Sequence, residues 1–281
     1  MSRPLISVLI TGASTGIGYA LAVDLAKSNH QVFASVRKAE DAKRLEAENP
    51  NIIGVVFDVC DEAGIQAACK AIRSRLVSGQ TFSLINNAGI AVPGPLESLP
   101  LNDFRKQFET NVFGVLRVTQ VFLPLIREAS SSKGRIINMS SVSGRVTAPF
   151  LGAYSASKHA LEAISDALRR ELAHEGIKVL LIEPGLIQTP IWGKGEHTVE
   201  MPMAEQYRKP YQRFVKGMAK HIERKALPVD LVTESVRRAL FEDDPPVRQI
   251  VASVPMRMQI QINSLVPEKW MDRLIVRDLF K

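Results

Sequence analysis

Short apolar runs alternate with amphipathic stretches along this 281-residue chain. Residues 5–10 (LISVLI), 31–36 (QVFASV), 51–59 (NIIGVVFDV), 82–89 (FSLINNAG), 134–141 (GRIINMSS), 177–185 (IKVLLIEPG) and 247–253 (VRQIVAS) predict seven strands. Apolar spacings of three and four residues predict helices near 17–28, 39–48, 62–77 and 154–172, and a long helix pair over 101–129. Strands this apolar are buried on both faces, as parallel strands are when helices cover them. The alternation therefore predicts an α/β fold, a single domain over 1–281 built on one doubly wound parallel sheet of about seven strands. The rhythm breaks between 190 and 228, which holds no strand pattern and reads as a helical insertion after the sixth strand. Residues 254–281 form a C-terminal extension that ends in an amphipathic stretch, PEKWMDRLIVRDLFK.

Composition changes this picture little. At 46% hydrophobic and 23% charged residues the chain reads as an ordinary globular protein. Two cysteines, Cys60 and Cys69, exclude a disulfide framework and a four-cysteine zinc site. No leader pattern and no apolar run of about 18 residues is present, so neither a signal peptide nor a membrane span is expected. A cytoplasmic location follows as an expectation. The net charge of +7 gathers most densely in 207–226, YRKPYQRFVKGMAKHIERKA, which reads as a solvated face with no nucleic-acid partner. Contact with an anionic substrate or a membrane surface is the other reading of that stretch. The five histidines form no H-x-x-H or H-E-x-x-H pattern, so no metal is expected.

The first candidate for chemistry is TGASTGIG, residues 11–18, between the first strand and the first helix. Glycines there let backbone approach a pyrophosphate, and a helix N-terminus offers free N–H groups and a partial positive charge. The second is the first turn of the helix at 154–172. At about 100° per residue, Lys158 lies roughly 40° from Tyr154, on the face shared with Leu161, Leu168 and Leu172. Two polar groups on a face that should be buried need a reason. An ammonium near a phenol favours the phenolate, which predicts a lowered Tyr154 pKa and a proton donor or acceptor for a carbonyl/alcohol pair.

These features occur in a fixed order: T-G-x-x-x-G-I-G from Thr11, NNAG at 86–89, Asn111 in a long helix, a serine in NMSS, Tyr154-x-x-x-Lys158, and EPG at 183–185. In that order they resemble the classical short-chain dehydrogenases/reductases, over about two thirds of the chain. The tail resembles hydroxysteroid- and retinol-dehydrogenase-like members. The resemblance implies a Rossmann-like domain and an oxidoreductase acting on the CH–OH group of a hydrophobic small molecule. It makes Tyr154 the general acid/base and Lys158 its tuner and ribose contact. Ser141, thirteen residues before the tyrosine, becomes the substrate-oxygen contact, and Asn111 a holder of a relay water. It places Gly12, Ser14, Thr15, Gly16, Ile17 and Gly18 at the cofactor phosphates. Asp58 and Val59 fall at the adenine, and Asn87, Ala88 and Gly89 at the adenine ribose. Pro184, Gly185, Ile187 and Thr189 fall at the nicotinamide.

Cofactor choice is read at the end of the second strand. An acid about 20 residues past the glycines accepts from the ribose 2′-OH of NAD. Here Ser35 occupies that place and Arg37 and Lys38 follow. Arginine holds a 2′-phosphate that a carboxylate would repel, so NADP(H) is expected. Ile191, Trp192, Met201, Met203, Tyr207, Tyr211, Phe214 and Met218 in the insertion either line an apolar substrate site or pack the insertion down. A homodimer or homotetramer is expected by resemblance. The alternatives are a reductase of carrier- or CoA-linked 3-ketoacyl groups, a non-catalytic NADP-sensing protein, and an epimerase or dehydratase sharing Tyr-x-x-x-Lys.

Overall fold

The computed structural model describes residues 5–76, 80–128, 134–192, 203–263 and 266–280. Seven parallel strands form one sheet: β1 (Ile6–Ile10), β2 (Gln31–Val36), β3 (Ile52–Val56), β4 (Thr81–Asn86), β5 (Arg135–Met139), β6 (Lys178–Pro184) and β7 (Arg248–Val251). Their order is β3-β2-β1-β4-β5-β6-β7. The order reverses between β1 and β4, which opens a crevice at the carboxyl ends of these two strands.

Side-chain alternation explains why the strands read as unbroken apolar runs. On β1, Ile6, Val8 and Ile10 enter one core and Leu9 the other. The first core is closed by α1 (Gly16–Lys27), α2 (Ala39–Glu48) and α8 (Asp230–Phe241), through Leu21, Leu25, Leu45, Val232 and Val236 among others. The second is closed by α3 (Glu62–Arg73) and α5 (Gly114–Glu128), with Ile65, Ile72, Val118 and Phe122. The tail of α6 (Gly152–Glu171) joins this layer through Leu168 and Leu172. Both faces of the sheet are thus buried, as the pattern of the strands requires.

Several boundaries differ from the sequence reading. The third strand stops at Val56 and the fourth at Asn86, because the residues that follow leave the sheet to line the crevice. The third helix ends at Arg73, and Val77 lies outside the described residues, as does Ala129. The helix pair is α4 (Leu101–Phe108) and α5, joined through a π-helical turn, Glu109–Phe113. Helix α8 is an element the pattern reading left out. The insertion contains α7 (Glu205–Lys225), and the extension contains α9 (Val254–Asn263) and α10 (Glu268–Phe280). No described helix is long and apolar enough to cross a membrane.

A buried polar ladder fixes the centre of the sheet. Asn86 and Asn138 stand opposite each other on β4 and β5. Asn86 Nδ2 donates to Asn138 Oδ1 at 2.9 Å and to Thr119 Oγ1 at 3.0 Å, and Asn138 Nδ2 donates to Ser165 Oγ at 2.8 Å. The ladder ties α5, two strands and α6 together, just below the residues of the crevice. Removing Asn138 strands a buried donor on Asn86 and a buried acceptor on Ser165. Asn138→Ala should therefore cost about 2 kcal/mol of stability in a denaturant titration, whereas a loss within a few tenths would show the ladder to be energetically idle.

Candidate active site

The turn after β1 is locked onto the end of β4. Thr11 Oγ1 accepts from the backbone N–H groups of Asn87 and Ala88, each at 3.0 Å. In return Asn87 Nδ2 donates to the carbonyls of Thr11 (2.9 Å) and Gly12 (3.1 Å). Gly12 has φ +67°, and a Cβ there would lie 2.8 Å from Ala88 Cα. A Cβ on Gly18 would lie 2.4 Å from the Gly12 carbonyl. Only hydrogen fits at these two positions, so the backbone forms a tight cradle in front of α1.

A cleft of about 690 Å³ opens over that cradle. Gly12, Ser14, Thr15, Gly16 and Ile17 line its floor, and Gly18 supports it from beneath. Ser35, Arg37, Asp58 and Val59 form one end, and Asn87, Ala88 and Gly89 one side. Thr189 and Ile191 border the other end. The cradle, the helix N-terminus and the volume of the cleft fit a dinucleotide. Lys38 is placed differently. It is the exposed residue before α2 and does not line the cleft. Arg44, which the sequence reading missed, stands near instead, with Nη2 donating to the Ser14 carbonyl at 2.7 Å and to Asp41 at 3.0 Å. Its signal was faint, one of two adjacent cations in a polar helix.

Past Thr189 the cleft meets a small cavity lined by Ser141, Tyr154, Lys158, Pro184, Gly185 and Ile187, among others. The residues there come from three elements. Ser141 follows β5 and caps a 3₁₀ turn, its Oγ accepting from Ser143 N–H at 3.1 Å and donating to the Pro184 carbonyl at 3.3 Å. Tyr154 lies in the first turn of α6 and hydrogen-bonds Ser141. Of the three clustered serines, Ser140, Ser141 and Ser143, it is Ser141 that meets the phenol. Lys158, one turn on, is buried and donates from Nζ to the Met139 carbonyl at 2.7 Å.

One expectation changes here. The Tyr154 pKa is raised, not lowered: burial pushes it up and the Ser141 hydrogen bond only partly offsets this. The ammonium that was to lower it is turned to the Met139 carbonyl, 5.9 Å from the tyrosine ring centre. It is itself disfavoured by burial, which brings Lys158 down to about 8 against the pull of Glu162. Asn111 sits in the π turn, fully buried, and its amide is engaged elsewhere. It bonds the N–H and carbonyl of Ile90 (2.9 and 3.0 Å) and Ser157 Oγ (3.2 Å), so it fixes the loop after β4.

From Ser141 and Gly185 a third cavity of about 900 Å³ extends between α7, α9 and α10. The insertion residues divide between the two roles left open. Phe214 and Met218 line this cavity. Tyr207, Tyr211 and Phe214 pack on Phe150, at 6.4, 5.4 and 5.5 Å between ring centres. Met201 and the side chain of Trp192 lie outside the described residues. The cations Arg208, Lys209, Lys216 and Lys220 of the basic segment are on exposed positions of α7.

A model of the short chain dehydrogenases matches residues 7–200. The chain belongs to the short-chain dehydrogenase family. It is 37% identical to the NADPH-dependent 3-dehydrocapnine reductase of Ornithobacterium rhinotracheale over 97% of each chain. It is 33% identical to retinol dehydrogenase 7 of Rattus norvegicus over 86% of this chain and 78% of that one. Among solved structures, a short-chain dehydrogenase from Streptomyces avermitilis superposes with a TM-score of 0.79 at 28% identity, covering 99% of both chains.

This short-chain dehydrogenase carries one acid that sequence reasoning took only as part of a turn motif. Glu183, at the end of β6, is fully buried. Arg145 Nη1 and Arg248 Nε each lie 3.6 Å from its Oε1. Arg248 also binds Glu162 (3.0 Å) and Asp166 (2.8 Å) on α6. Burial raises the Glu183 carboxyl to about 7, and Glu162 pushes the same way against the two arginines. A carboxyl raised by folding contributes stability that is complete below its ordinary value near 4.5 and is lost as pH rises through about 7. Glu183→Gln should remove that loss, so the variant gains on the wild type by up to roughly 3 kcal/mol between pH 5 and pH 8. Denaturant titrations at the two pH values measure it, and parallel pH dependence would sink the assignment.

Proposed function

We propose that this chain is an NADP(H)-dependent oxidoreductase that interconverts a carbonyl and an alcohol on a mainly apolar small molecule. One observation carries the reading: the Ser141–Tyr154 hydrogen bond and the buried Lys158 stand at the junction of the dinucleotide-shaped cleft and the 900 Å³ cavity. When bound, the nicotinamide supplies or accepts the hydride. Gly12 to Gly18 would hold the phosphates, Pro184, Gly185, Ile187 and Thr189 would flank the nicotinamide, and Lys158 would contact its ribose.

Ser141 and Tyr154 orient the substrate oxygen between two hydroxyls. Tyr154 gives that oxygen a proton in reduction and takes one in oxidation. A phenol held above its ordinary pKa is protonated at neutral pH, the form that donates the proton in reduction. Tyr154→Phe should bind NADPH as the wild type does while losing about 10²–10⁴-fold in turnover. Undiminished turnover would remove Tyr154 from its role.

The preference for NADP(H) rests on Arg37 in the cleft wall beside Ser35, with no carboxylate at that place. The NADPH-dependent relative supports it. Arg37→Ala should weaken NADPH by about 10–100-fold, the worth of a charge-assisted hydrogen bond, and NADH far less. Titrations with both nucleotides decide this, and equal losses refute the phosphate contact. A homodimer or homotetramer in the cytoplasm completes the proposal. The exposed Leu101 and Phe113 on the α4–α5 edge support self-association.

A further inference from the structure

Helix α7 forms one wall of the 900 Å³ cavity, and Gly217 lies in its interior. Glycine at such a position costs about 1 kcal/mol relative to alanine. Two common reasons for accepting that cost are absent. The residue is helical, with no left-handed backbone to accommodate. A Cβ built on it would meet no atom within 4 Å, so no neighbour demands the missing side chain. What lies over Gly217 is the cavity itself.

Apolar residues make up most of that wall, although Arg213, His221, Gln259, Glu268 and Asp272 line the cavity too. Arg213 and His221 flank Gly217 one turn before and one turn after, on the same helix face. Each is turned to backbone: Arg213 Nη1 donates to the Leu279 carbonyl at 3.3 Å, and His221 Nδ1 lies 2.7 Å from the carbonyl of Gly217. Phe214 and Met218 line the same cavity from α7, and Met256 and Ile260 line it from α9. A volume of about 900 Å³ is near the top of the ~300–1,000 Å³ range of small-molecule sites, far more than a short ketone fills.

We propose that Gly217 is a specificity-determining residue that keeps the α7 wall open for the extended apolar chain of a long-chain ketone or its alcohol. The proposal rests on the reading that the carbonyl end of the substrate sits at Ser141 and Tyr154. A leucine at 217 projects into the cavity, and it improves helix propensity, so it narrows the channel without weakening the fold.

The test compares wild type, Gly217→Ala and Gly217→Leu with NADP⁺ present. Binding of 2-butanol, 2-hexanol and 2-decanol is measured by calorimetry, and turnover of the matching 2-ketones with NADPH is followed separately. In the wild type affinity should rise with chain length. In Gly217→Leu the ratio of 2-decanol to 2-butanol affinity should fall at least tenfold, with Gly217→Ala between and melting temperatures at or above that of the wild type. A wild type indifferent to chain length overturns the proposal, as does a Gly217→Leu variant that keeps the wild-type ratio. Chain-length-dependent binding without turnover of any ketone would leave the channel standing and remove only the oxidoreductase reading.

Discussion

The arrangement of the site depends on one hydrogen bond, from Lys158 Nζ to the Met139 carbonyl. A buried ammonium is costly unless it is partnered, and this carbonyl sits where β5 ends. The contact therefore fixes the register of α6 against the sheet. Tyr154, one turn earlier, is carried with it to the edge of the cavity, where Ser141 follows β5 by two residues from the same carbonyl. The phenol, the serine and the ammonium are thus positioned by one strand end and one helix turn. The Asn86–Asn138 ladder keeps that strand end in place, because Asn138 immediately precedes Met139 and reaches α6 through Ser165.

Much of this was legible in the sequence, for a physical reason. Parallel strands covered on both sides must be apolar throughout, so their runs stand out against the helices. The α/β fold and the sheet of seven strands followed from that alternation. The turn at Gly12–Gly18 was legible because tight backbone approach admits few residue types. Lys158 and Tyr154 stood out because polar groups on an apolar face are rare.

What was not legible depends on distance in space. The π turn at Glu109–Phe113 has no periodicity of its own, yet it turns Asn111 inward to the Ile90 loop. The direction of the Tyr154 shift could not be read from spacing. A four-residue interval says that two groups share a face, not where the longer side chain points. Arg44 and Lys38 make the same point, since both are cations near the end of β2 and only the three-dimensional path of α2 separates them. Helix α8 had a readable pattern in Val232, Val236, Ala239 and Leu240, but it falls beside an irregular insertion that drew the reading elsewhere.

The acid at Glu183 shows how the charges behind the site are coupled. Arg248 bridges Glu162 and Asp166, Asp166 also pairs with Arg169 and Arg170, and Arg145 and Arg248 both approach Glu183. Ionising it adds an anion at a position shut off from solvent, which raises its pKa. Glu162 acts on both sides of this balance. Its negative charge favours the ammonium of Lys158 and disfavours the carboxylate of Glu183. The same charge therefore favours the protonated forms of both Lys158 and Glu183. The turn at Pro184–Gly185, whose Pro184 carbonyl accepts from the Ser141 hydroxyl, follows directly after that acid. The wall of the active site is then backed by a cluster of paired charges, and Arg248 is the residue that joins β7 and α6 across it.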